Sequence, residues 1–355
     1  MKRVIFFFGF CLCSTVILAQ DDVEVTSIKK DSASIRDKYI QRYPDHFFIW
    51  PVLKQRSLSF DVENLKGSKD KLTFKPNSAY TLGLGVYLFD VGVEFTFALP
   101  VDSKSKLKYG TTHAKDFQIN ALSRKFGFDL YNQKYDGFYL TNSKVNVPKS
   151  DPYPQRSDIN TRNFGLSGFY ILRDKKFSIK SAYNFAERQL HRRGSILIVG
   201  ALNSFKLTAD SSVLPYNYRK SFGVGSSFQM LKYTTFSIAP GYSYSFIYKH
   251  FFLNGTVVLG PAHNWIYYKQ IDGKDKHDIT INTYSSVRIA LGYNSDHFFG
   301  GVTFVTQSRN VRFEDIRFTN SSSTFRLLVG YRFREFGFLK RSVWDIPRAF
   351  MKLTN

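Results

Sequence analysis

The chain has 355 residues, with 50 Lys+Arg against 28 Asp+Glu for a formal net charge of +22, and aromatic residues make up 17% of it. So basic a balance suggests acidic partners, but no recognition-helix or zinc-ligand pattern points to nucleic acid. Mean hydropathy is negative and no long apolar run follows residue 19, which excludes a helical membrane span.

The chain opens MKRVIFFFGFCLCSTVILAQDD. Lys2 and Arg3 precede an apolar run, and Ala19 is small, so residues 1–19 are expected to be a cleaved secretory signal peptide. Both cysteines, Cys11 and Cys13, lie in this segment, so no disulfide or thiol chemistry is expected after cleavage. Residues 20–54 read as a periplasmic lead-in, with a short helix over 35–41.

From Gln55 to residue 334 strands dominate. In "DVGVEFTFALP" (90–100), Val91, Val93, Phe95, Phe97 and Leu99 alternate with polar or small residues, as in a strand with one apolar face. Strands are expected at about 55–63, 78–88, 90–99, 115–124, 126–139, 162–172, 176–186, 195–207, 218–230, 233–247, 250–261, 279–294, 297–307 and 323–334. Residues 195–207 are apolar on both faces and break the alternation. Short turns are expected at 89–90, 173–175, 249–250 and 295–297, and longer polar loops at 100–114, 140–161, 262–278 and 308–322. A 208–217 connection that should be short, and a 231–233 turn that should be long, break this rhythm.

Many of these strands are long enough to cross a bilayer, which takes about 9–11 residues. Tyr and Phe cluster near their ends, as in "NWIYYK" (264–269). The expected fold is all-β: a transmembrane antiparallel up-and-down β-barrel of about 12–14 strands. A soluble β-sandwich is the competing architecture, and its strands are usually shorter. Residues 335–355 form a C-terminal tail.

The segments "YPDHFFIWPVLKQRSLSF" (43–60), "LTFKPNSAYTLGLGVYLFDVGVEF" (72–95), "YPQRSDINTRNFGLSGFY" (153–170) and "SAYNFAERQLHRRGSILIVG" (181–200) resemble a family of uncharacterised Bacteroidetes proteins. That family is known only as a domain of unknown function and is associated with outer-membrane barrels. The resemblance implies a bacterial outer membrane, and it brings no catalytic residues.

Strand parity nominates lumen-lining residues: Glu94, Arg124, Lys180, Asn184, Asn282, Arg288, Arg326 and Arg332. Arg156, Asp158 and Arg162, in "YPQRSDINTRNFG", are candidates for an inward constriction loop whose arginine forks would hold carboxylate or phosphate. No protease, P-loop, hydrolase or metal motif is present, so no enzyme activity, metal or cofactor is expected. Three functions follow as expectations. The first is a weakly anion-preferring channel, because a basic lumen favours anions. The second is a closed structural or surface-interaction barrel. The third is a lipid-modifying enzyme using His191 and Ser195. Expected partners are outer-membrane lipid or lipopolysaccharide and small anionic solutes.

Overall fold

The computed structural model describes residues 35–66, 70–88, 91–142, 148, 151–271, 273 and 275–334. The expected signal peptide, the start of the expected lead-in, the expected 89–90 turn and residues 335–355 lie outside the described residues. After helical residues 35–39 come β1 (Ile40–Arg42), β2 (His46–Asn64), β3 (Lys71–Lys75), β4 (Tyr80–Leu88), β5 (Val91–Ala98), α1 (Ser103–Tyr109), β6 (His113–Leu122), β7 (Phe126–Asn142) and β8 (Gln155–Ile171). Then follow α2 (Lys180–Tyr183), β9 (Glu187–Gln189), β10 (Arg193–Thr208), α3 (Tyr216–Phe222), β11 (Phe228–Tyr248), β12 (Phe251–Gln270), β13 (Asp275–Asn294), β14 (Phe298–Phe313) and β15 (Ile316–Arg334).

Antiparallel pairing runs from β2 through β3, β7, β8 and β10 to β15, and β15 pairs back onto β2. This is a closed barrel of ten strands. Closure removes the sheet edges that a bilayer cannot hydrate. Outside, alternate residues are apolar and exposed: Phe95 by 66%, Phe97 by 78% and Ile281 by 72%. Water would penalise such a surface by roughly 1.5–3 kcal/mol per large side chain, so the band faces lipid.

One part of the wall departs from the ring. β3 and β4 are one descending strand interrupted at 76–79, both paired to β2. Above the break β3 pairs directly with β7. Below it β5 adds to β4 and β6 adds to β7, and β5 and β6 do not pair with each other among the described residues. Leu99 N–H donates to Tyr80 O, so the main-chain groups of Gly92, Glu94, Thr96 and Ala98 face this seam by alternation. On the β6 side Arg56 reaches across the lumen and donates to Asp116 O at 3.2 Å.

Several expected elements are corrected. The first barrel strand starts at His46, not Gln55. Residues 176–186 are not a wall strand. Phe177, Ile179, Tyr183 and Phe185 are all buried, because the segment folds into the barrel mouth around α2. The expected 218–230 and 233–247 pair is instead α3 followed by one continuous strand, β11, and 209–227 is a long loop at the opposite mouth. With that change both irregular joints disappear. The 262–278 and 308–322 loops shrink to tight connections, because β12, β13, β14 and β15 run on past the apolar belt.

The turn at Glu314 and Asp315 shows how these far ends are held. Lys276 and Tyr268 donate to Glu314 and hold its carboxyl below its usual range. Lys66 does the same for Asp315 at 2.7 Å. A carboxylate depressed by folding stabilises above its unfolded pKa, about 4, and loses that contribution as pH falls through its folded value. Acidification below pH 4 should therefore speed amide exchange at Phe313 and Ile316 before it affects mid-barrel amides.

Candidate functional site in the filled lumen

The lumen holds three layers of side chains. At the mouth near residues 46 and 334, the 172–192 segment fills the bore. Phe177, Ile179, Ala182 and Phe185 pack against wall residues that include Phe48, Trp50, Phe252 and Phe299. This explains why β10 is apolar on both faces: Ile196 and Ile198 face lipid, while Leu197 and Val199 meet the plug.

The plug is anchored as well as packed. Arg36, from the lead-in, donates from Nη2 to both carboxylate oxygens of Glu187 at 2.8 Å, with side chains 3% and 7% exposed. β1 pairs with β9, so the lead-in straps the plug from outside. Arg332 donates to Phe185 O at 2.6 Å and to Asn294 Oδ1 at 2.7 Å. Phe185 itself has φ 58°, a conformation that costs a bulky residue of order 1–3 kcal/mol and persists only where surroundings enforce it.

At the other mouth the 209–227 loop turns inward. Its Val213, Leu214 and Phe222 are fully buried with Phe60, Phe74, Phe205, Phe313 and Phe318. Arg156 pins this loop, donating to Asp158 at 2.7 and 2.8 Å and to the carbonyls of Val213 and Ser212 at 2.8 and 3.0 Å.

Between the apolar layers lies a polar one. Glu94 accepts from Trp50 Nε1 at 2.7 Å and forms ion pairs with Lys54 and Arg326. Asp129 pairs with Arg288 and accepts from Asn120 at 2.6 Å. Asp116 accepts from Gln133 and Tyr135 and lies 3.6 Å from Arg56. Gln133, Asn163 and Asn203 continue the network around the wall. Each of these charges sits in a low dielectric, where an unpaired ion costs several kcal/mol.

The structure therefore brings Glu94 and Arg326 together and gives Arg288 a partner. Arg332 faces inward but serves the plug, and Asn282 faces inward and donates to Thr280 Oγ1 at 2.7 Å. Four candidates are corrected. Arg124 lies in the turn between β6 and β7, 2.5 Å from Asp174, and lines no lumen. Lys180 and Asn184 belong to the plug, not to a strand. Arg162 is on the outward face of β8 and is exposed, because "YPQRSDINTRNFG" enters a strand and forms no constriction loop. Arg156 and Asp158 clamp the loop that does fold inward. Ser195 Oγ accepts from Arg173 N–H at 2.9 Å, and the His191 ring packs edge-on to Tyr39, so the two do not meet. Lys54, Arg56, Asp116, Asp129 and Arg309 were not among the sequence candidates.

The family described as a domain of unknown function (DUF4421) matches residues 29–333. No curated protein matches the chain. Among solved structures, the chain is similar to the outer-membrane protease OmpT from Escherichia coli, at 12% identity and a TM-score of 0.40, covering 82% of this chain and 97% of that one. It is similar to the translocator domain of the autotransporter NalP from Neisseria meningitidis, at 9% identity and a TM-score of 0.31, covering 87% and 96%. It is also similar to the attachment invasion locus protein Ail of Yersinia pestis, at 11% identity and a TM-score of 0.22, covering 81% and 99%.

Proposed function

Because the chain belongs to the DUF4421 family, a family with no assigned activity, we propose a role from its own geometry: a closed barrel of the bacterial outer membrane that acts through its surface. One observation carries this. Both mouths are filled by the protein's own inward segments, 172–192 and 209–227. The apolar, exposed belt on the strands supports a membrane location. A weakly anion-preferring pore would need free cations in an open bore. Arg288 and Arg326 are instead ion-paired.

The surface offers one contact of definite chemistry. α1 ends on Tyr109, whose ring stacks on Tyr153 and tilts against Tyr139, and it presents Lys104 and Lys106 to solvent. Aromatic rings with lysines suit the headgroup level, where lipid phosphates are the anions at hand. Solute-driven swelling of liposomes tests closure. Vesicles with the wild-type barrel should swell no faster than empty ones. Deleting 176–186 or 211–222 alone should leave one apolar layer and little swelling, and deleting both should admit solutes. Rapid wild-type swelling would remove the proposal.

A further inference from the structure

Among the described residues, the polar layer contains one cation that no carboxylate neutralises. Arg309, on β14, is 1% exposed. Its Nη2 donates to Gln307 Oε1 at 3.1 Å, and its Nε and Nη1 have no hydrogen-bond partner among the described residues. The rings of Tyr284 and Tyr131 lie 5.2 and 5.8 Å from the guanidinium, which places it within an aromatic frame. Its cross-strand neighbour on β15, Asn320, is equally buried; its amide lies against the buried Tyr233 hydroxyl, and among the described residues neither its Nδ2 nor its Oδ1 makes a hydrogen bond of good geometry.

The charge balance of the layer points the same way. Lys54, Arg56, Arg288 and Arg326 stand against Glu94, Asp116 and Asp129. That set already has one cation in excess, and Arg309 adds another. A guanidinium does not escape the cost of burial by losing its proton, as a buried lysine can. Unpaired, it would cost several kcal/mol. An acceptor of negative charge at the free donors of Arg309, beside the buried amide of Asn320, would offset that cost.

We infer that Arg309 and Asn320 form an internal site for a small monovalent anion of halide size. Both side chains are 1% exposed, so an anion held there is stripped of water, which suits chloride rather than a bulky organic acid. The site does not rest on the closed-barrel proposal, because a conducting barrel with the same Arg309 would show it too.

Thermal unfolding of the full-length barrel in detergent, in sodium chloride and in sodium gluconate at equal ionic strength, tests the inference. The midpoint should be higher in chloride and should climb with the logarithm of its concentration. Arg309→Met should abolish the difference between the salts, and Asn320→Ala should weaken it. Crystals soaked in bromide should give an anomalous peak beside Arg309. Equal midpoints in the two salts, or a chloride effect that survives in Arg309→Met, would overturn the site. If that variant does not fold, bromide decides: no peak beside Arg309 rejects the inference.

Discussion

Glu94→Gln should destabilise the barrel by about 3–5 kcal/mol, because it strips the shared counter-ion from two buried cations. Lys54 and Arg326 are each about as buried as Glu94, with side chains 11%, 14% and 13% exposed. Glutamine can still accept from Trp50, so a loss that large would report the charge and not the hydrogen bond. Urea unfolding of the reconstituted protein measures it. The companion experiment separates pairing from burial. Replacing all three by apolar residues, as Lys54→Met, Glu94→Leu and Arg326→Met, should cost less than Glu94→Gln alone, since removing a whole buried ion cluster also removes its desolvation penalty. If Glu94→Gln is silent, water reaches the layer and the lumen is not packed as described.

The second large effect should be local. Glu187→Ala leaves the Arg36 guanidinium buried without a carboxylate and removes the acceptor of Ser178 Oγ. The expected cost is again about 3–5 kcal/mol, but it falls on the plug and its strap and not on the wall. The global unfolding midpoint should shift little. Amides of 177–187 should exchange faster, and limited proteolysis should cut within 172–192 while the barrel stays whole. Uniform loss of protection across the wall strands would show that the plug and the barrel fold as one unit.

The wall was largely legible in the sequence. Val93, Phe95 and Phe97 alternate because one face meets lipid, and the same parity turned Arg288 and Arg326 inward. The plug was misread for a physical reason. Phe177, Ile179, Tyr183 and Phe185 also fall at odd positions, and an inward segment packed on all sides makes that spacing without being a strand. The opposite error affected 308–322. There Val311, Phe313, Ile316 and Phe318 do alternate with polar residues, but they face the lumen instead of lipid, and the charged turn at Glu314 and Asp315 breaks the run, so the segment reads as a loop although the hydrogen-bonded ladder continues. Arg309 was hidden by that misreading. Ion pairs such as Asp129 with Arg288 join residues 159 positions apart, and no local pattern encodes them.

The central claim is that the protein's own chain closes its bore from both mouths. Current through planar bilayers containing the purified wild-type barrel tests it most directly. The structure predicts no steady conductance above that of the bare bilayer, in any salt. Reproducible single-channel steps from the wild-type protein, with either ion preference, would contradict it.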